Sequence, residues 1–198
     1  MNDERVFQIF EQKQGYAETQ DLLQLGIDHY HLKKMENAGK IERVRRGLYR
    51  MNAVVHSDQD ELATVSLMVP DGVICLLSAL AYHQLTTFVP WEYHVAILRS
   101  RKRMTSIQYP PVKFVYFAEK QLNLGIQTVQ IGAQQLRVYD MEKSICDIVR
   151  YKNKIGIDIM KESLINYLKR TDRDIVKLLK YAGQLHVPNI ETYLEVLM

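Results

Sequence analysis

The chain has 198 residues, 47% hydrophobic and 25% charged, with a formal net charge of +3. That length suits one large domain or two small ones with a real buried core. The sequence has no apolar run of membrane-spanning length and does not start with a basic-apolar-small signal pattern, so the expected location is the cytoplasm. Cys75 and Cys146 sit in apolar surroundings and form no close pair. They read as buried free thiols rather than as a disulfide or metal ligands.

The distribution of charge says more than its sum. From His29 to Met51 there are seven lysines and arginines against two acids, a surplus of five. Residues 1–28 hold two cations against six acids, a deficit of four. Basic charge focused on one stretch is the electrostatic footprint of a phosphate-backbone binder.

Taken in chain order, residues 3–13 place Val6, Ile9 and Phe10 at i, i+3, i+4 and predict an amphipathic helix ended by Gly15. Thr19 is the expected N-cap of a second short helix from Gln20 to Leu25. Gly26-Ile27 turns the chain, and Asp28 caps a third helix to about Ala38, terminated by Gly39. On this third helix Leu32 and Met35 fall on the inward face. Tyr30, Lys33, Lys34 and Asn37 face the other way, flanked by His29 and His31. Ile41-Glu-Arg-Val-Arg-Arg-Gly-Leu-Tyr-Arg-Met51 then alternates on both sides of a Gly-containing turn and predicts a β-hairpin.

Helix, glycine turn, helix and basic hairpin together read as a winged helix-turn-helix. In such a reader the recognition helix meets base edges, lysine donating to guanine and asparagine pairing with adenine. The hairpin arginines, Arg43, Arg45, Arg46 and Arg50, contact phosphate or the minor groove. Such contacts position the protein without specifying sequence. Thr19, Gln20, His29, Tyr30, His31, Lys33, Lys34 and Asn37 complete the expected DNA-contacting set. The competing reading of 33–50 is a solvated basic face.

Tyr16-Ala-Glu-Thr-Gln-Asp-Leu22, Gly26-Ile27, and Leu32 through Gly39-Lys-Ile-Glu-Arg-Val-Arg-Arg-Gly-Leu-Tyr-Arg50 resemble the N-terminal domain of AbiEi-family antitoxins. Ser78-Ala-Leu-Ala-Tyr-His-Gln-Leu-Thr-Thr87, Val138-Tyr-Asp-Met-Glu-Lys-Ser-Ile-Cys-Asp-Ile-Val149, Tyr151 to Leu168, and Ile190-Glu-Thr-Tyr-Leu-Glu195 are similar to the family's C-terminal region. The resemblance implies a transcriptional regulator of a type IV toxin–antitoxin system of abortive phage infection. It implies repression of its own operon through inverted repeats in double-stranded DNA. It also implies a cognate nucleotidyltransferase-like toxin opposed without a stable complex.

Beyond residue 52, Ser57 is the expected cap of a helix from about Asp58 to Met68, and Pro70-Asp71-Gly72 is a strong turn. Ala79 to Leu85 predicts a buried helix whose His83 reads as a hydrogen-bonded core residue. Tyr93–Leu98 and Val112–Phe117 predict strands. Ile126–Ile131 and Leu136–Tyr139 predict a hairpin around Gly132-Ala133. Asp140, Gly156, Thr171 to Asp174 and Pro188 punctuate three or four helices that end the chain. Arg99, Arg101, Lys102 and Arg103 form a second basic cluster, and Arg150, Lys152 and Lys154 a third. Charge alone marks both as possible polyanion or antitoxin surfaces.

Catalytic and metal-binding patterns are missing: no glycine-rich phosphate loop, Gly-x-Ser-x-Gly, His-Glu-x-x-His or Cys-x-x-Cys occurs. His56, His83, His94 and His186 lack ligand spacing. Asp71, Glu92, Asp140 and Asp147 could meet as nuclease carboxylates do, although caps and surface groups are the preferred reading. The expected fold class is α+β, with the winged helix-turn-helix at 1–52 and an α+β domain ending in a small helical bundle at 53–198. The expected protein is a DNA-binding antitoxin without cofactor or metal. It is a monomer in solution or pairs on DNA. The alternatives are a stand-alone regulator whose second domain senses a ligand, a nucleic-acid enzyme, and a protein that neutralises its toxin by direct binding.

Overall fold

The computed structural model describes residues 3–13, 15–52, 58–101, 107, 110–131 and 134–197. The chain divides into two compact units, residues 1–68 with 130–134, and residues 69–129 with 135–198. The expected boundary after residue 52 falls inside the first of these. The expected cap Ser57, His56 and the expected turn Gly132-Ala133 lie outside the described residues.

The first unit runs α1 (Asp3–Gln12), β1 (Tyr16–Glu18), α2 (Thr19–Gln24), α3 (His29–Asn37), β2 (Ile41–Arg45), β3 (Leu48–Met51) and α4 (Asp58–Met68). Helix α1 buries Val6 and Phe10 at i, i+4 spacing, and α2 and α3 each bury one leucine, Leu22 and Leu32. All four are buried in one core with Ile27, Ile41, Tyr49 and Met51. Asp28 caps α3 as expected, its carboxylate accepting from the His31 amide at 2.9 Å. Glu18, not Thr19, is the N-cap of α2. Thr19 is already helical, and its amide donates to the Gly47 carbonyl at 2.8 Å.

The strands form an antiparallel sheet in the order β1-β3-β2. In it Tyr16 faces Arg50, and Glu42 faces the same Arg50 from the other side. Strand β1 is absent from the sequence reading, and it makes β3 a central strand. The hairpin turns at Arg46-Gly47, where Gly47 takes a φ of +86°, a value that L side chains rarely adopt. The pairing shifts register between Arg43 and Arg45, a bulge that leaves Val44 outside the ladder. Helix α4 meets these elements through a hydrogen bond between the Thr64 and Tyr16 hydroxyls.

The second unit runs β4 (Val73–Ile74), α5 (Leu76–Tyr82), β5 (Tyr93–Leu98), β6 (Val112–Phe117), α6 (Glu119–Leu122), β7 (Ile126–Ile131), β8 (Gln134–Tyr139), α7 (Met141–Ile155), α8 (Ile157–Lys169), α9 (Ile175–Leu185) and α10 (Ile190–Leu197), except that the facing ends of β7 and β8, within 130–134, are grouped with the first unit. Its mixed sheet has the order β6-β5-β4-β8-β7. Strands β5 and β6 are parallel, β4 is antiparallel to β5, and β4 is parallel to β8. Gly72 enters β4 at a close approach, because a Cβ there would sit 2.5 Å from a Val95 methyl. Four helices, α7 to α10, close the chain over a core of Ile145, Ile148, Met160, Leu164, Leu178 and Leu185. Asp140 caps α7 and Asp174 caps α9, each carboxylate accepting a main-chain amide three residues on.

Among the described residues one ion pair is fully buried. Lys143 and Asp147, one turn apart on α7, bond to each other at zero exposure. The ammonium lies 4.2 Å from the Tyr139 ring centroid, and Gln121 donates to the carboxylate at 3.5 Å. Both thiols are free and buried as expected, and burial pushes Cys146 up to about 12. No described helix is long and apolar enough to cross a membrane.

Candidate nucleic-acid interface

The basic stretch folds onto α3 and the β2–β3 hairpin. The inward positions of α3 are spent on the core, Leu32 at 1% exposure. The spacing of 3.6 residues per turn then leaves His29, Tyr30, Lys33, Lys34 and Asn37 exposed on its other face. Tyr30 is 73% exposed, far above the usual value for an aromatic residue that merely packs. His31 sits to one side, its Nδ1 2.7 Å from the Asp28 carboxylate. The His31 amide and ring together hold the Asp28 carboxyl below its usual range. Lys33 reaches Glu36 at 2.9 Å. An exposed pair of this kind contributes about 0–1 kcal/mol, so a phosphate or a base edge can displace Glu36 cheaply.

The four hairpin arginines divide into three kinds. Arg43 and Arg46 are exposed, and neither guanidinium has a hydrogen-bond or ion-pair partner among the described residues. Arg45 is half-buried and tied down: its Nε donates to the Leu67 carbonyl in the last turn of α4 at 3.0 Å. A second guanidinium nitrogen lies 3.7 Å from Glu18. Arg50 corrects the expectation. It is 7% exposed, and it donates to Glu42 at 2.8 Å across the sheet. Little of this side chain is open to a DNA phosphate, and its charge already faces Glu42. Thr19 is half-buried and Gln20 exposed at the start of α2.

Sequence reasoning missed Glu18, Glu42 and the Leu67 carbonyl, the partners that hold two of the four arginines. The Glu42–Arg50 pair was hidden by the bulge: regular pairing outward from Arg45 and Leu48 would set Arg43 opposite Arg50, and only the register shift between Arg43 and Arg45 brings Glu42 there. Nothing in the sequence pointed to a carbonyl 22 residues away.

The other cationic clusters are more dispersed. Arg99 and Arg101 are exposed, with Arg101 3.4 Å from Asp71. Lys102 and Arg103 lie outside the described residues. Arg150 and Lys154 are exposed, while Lys152 donates to the Tyr193 hydroxyl at 2.7 Å and helps fix α10. The four carboxylates considered as a nuclease set have separate partners. Asp71 faces Arg101, Glu92 faces Lys113, Asp140 faces Lys177, and Asp147 faces Lys143. No group of three potential metal ligands occurs among the described residues. His83 donates from Nε2 to the Tyr139 carbonyl at 2.6 Å, as expected for a core histidine.

No curated protein matches the chain. Residues 4–52, roughly a quarter of the chain, span every element of the candidate interface, and they match the family model described as a transcriptional regulator, AbiEi antitoxin.

Proposed function

We propose that this chain is a DNA-binding antitoxin that represses its own operon. In this reading residues 1–52 are a winged helix-turn-helix, with α3 in the major groove and the β2–β3 hairpin as the wing. Residues 53–198 carry the antitoxin activity. The observation that supports the reading most is the exposed α3 face of Tyr30, Lys33, Lys34 and Asn37 beside the unpaired Arg43 and Arg46, within the segment that matches the AbiEi family. Lysine and asparagine there supply the donors that read guanine and adenine, and the arginines supply phosphate contacts. Inverted repeats suit two copies of such a reader, one per half-site. The partner is a nucleotidyltransferase-like toxin whose effect is opposed without a stable complex.

The test is a mobility-shift titration on the DNA just upstream of the chain's own gene, against a scrambled duplex, at two salt concentrations. Tight, sequence-selective binding in two steps is expected. Equal and weak binding to both duplexes would reduce the interface to a generic basic surface. Co-expression with the neighbouring toxin gene tests the second half. Growth is expected to be rescued without co-purification, and a stable complex would contradict the proposed mode of action.

A further inference from the structure

The second unit holds a cavity of about 480 Å³ that the α3–hairpin surface does not use. Its position follows from the strand order. Parallel β5 and β6 end together, Leu98 opposite Phe117. Ser100 and Arg101 follow β5, and Leu122 and Asn123 follow β6 by way of α6. Strand β4 starts at the same end, because Val73 pairs with Ala96, and this brings Asp71 there. Strand β8 runs parallel to β4, with Val138 beside Ile74, and this adds Arg137. All seven side chains line the cavity. Crevices outside the carboxyl ends of parallel strands are where open α/β sheets take their ligands. The volume lies within the roughly 300–1,000 Å³ of small-molecule sites.

The lining is chemically specific. Two guanidinium groups come from separate segments, Arg101 after β5 and Arg137 on β8. Arg137 is held by the Asp71 main-chain carbonyl at 3.0 Å. Arg101 meets the Asp71 carboxylate at 3.4 Å, but that carboxylate is 76% exposed, so water screens the pair and a stronger anion displaces it. Arginine forks match the oxygens of a phosphoryl group better than a single carboxylate does. Ser100 and Asn123 add neutral donors, and Leu98 and Leu122 add apolar surface for the rest of a ligand.

We infer that this cavity binds a small organic phosphate. The phosphoryl group sits between Arg101 and Arg137, the body lies against Leu98 and Leu122, and the Asp71 carboxylate competes for Arg101. The inference does not rest on the proposed DNA reading, since none of these residues belongs to the unit that carries it.

Calorimetric titration of the full chain with inorganic phosphate, adenosine 5′-monophosphate and adenosine tests it. The monophosphate is expected to bind, phosphate to bind more weakly, and adenosine not to bind. Arg101→Ala with Arg137→Ala should weaken binding by at least about tenfold, the loss expected for charge-assisted hydrogen bonds. Asp71→Asn should tighten it severalfold by removing the competing charge. Because Asp71 is an exposed turn residue, that variant keeps the test decisive if the arginine variants misfold. Failure of both phosphate and the monophosphate to bind at millimolar concentration would overturn the inference, as would identical affinities for the wild type and Asp71→Asn. Binding of an unphosphorylated-end single-stranded RNA that the monophosphate cannot displace would replace it with a polyanion surface. Arg137→Ala should leave the mobility shift on the upstream DNA unchanged, which separates this site from the DNA reading.

Discussion

Arg46 and Arg50 lie four residues apart, and the fold gives them opposite roles. Arg46 is exposed at a turn, where its charge is available to a phosphate. Arg50 is buried on a central strand against Glu42, where its charge is already used. Arg46→Ala should therefore weaken DNA binding about equally on all sequences and lower the salt slope by about one, with little change in urea unfolding. Arg50→Ala should do the reverse, costing about 1–3 kcal/mol of stability by breaking a pair that is buried on one side only. If Arg50→Ala folds normally but binds DNA poorly, the burial argument fails. Lys33 can be separated from both. If it reads a guanine, Lys33→Ala should relax preference at one base pair by about 1–3 kcal/mol while binding to other sequences barely changes. A selection experiment that returns the same operator for this variant would remove Lys33 from the reading face.

The elements legible in the sequence are those long enough to show a period. The α3 helix, its Asp28 cap and the β2–β3 hairpin stand where alternation and capping placed them. Strands β1 and β4, of three and two residues, are too short for any alternation, and long-range pairing alone defines them. The loss of β1 explains the error at Arg50: without a strand beyond it, β3 reads as an edge with an exposed arginine. Strand β5 carries a consequence for pH. His94 sits there at 5% exposure. Burial, reinforced by Lys113 on the neighbouring strand and opposed by Glu92, pushes its imidazole down to about 4. The folded chain thus holds the neutral ring. Stability is complete above the ordinary histidine value near 6.5 and falls as the pH drops from there towards 4. The loss between about pH 7 and pH 5 should be about 2 kcal/mol from this residue. His83, also pushed down by burial, acts with the same sign. Urea midpoints of wild type and His94→Asn at the two pH values check this. The variant should lose less on acidification, and equal losses would show that His94 is not the titrating group.

At the scale of the whole molecule, a net charge of +3 gives no measure of how strongly DNA is held. The acidic first 28 residues cancel most of the surplus between His29 and Met51, so only the exposed part of that surplus matters. Of the seven cations of that stretch, Lys33, Lys34, Arg43 and Arg46 make up the working set; Arg45 is tied to α4 and Arg50 to Glu42, and Lys40, past the C-terminal end of α3, lies outside the expected contact set. Each neutralised phosphate contributes roughly 0.9 to the fall of log K with log salt. One copy on DNA should therefore give a slope of about −4, and two copies on an inverted repeat about −7. The slope measures what the charge count alone cannot, because it depends on which arginines are free and on how many copies bind. Measured for the two successive bands of a mobility shift, slopes near these values would tie both steps to the same face. A slope of about −1 for the first band would mean that α3 and the hairpin do not lie on the phosphate backbone together, and the recognition-helix-and-wing arrangement would have to be abandoned. A first band near −4 with no second step would keep the interface and discard the pairing on inverted repeats.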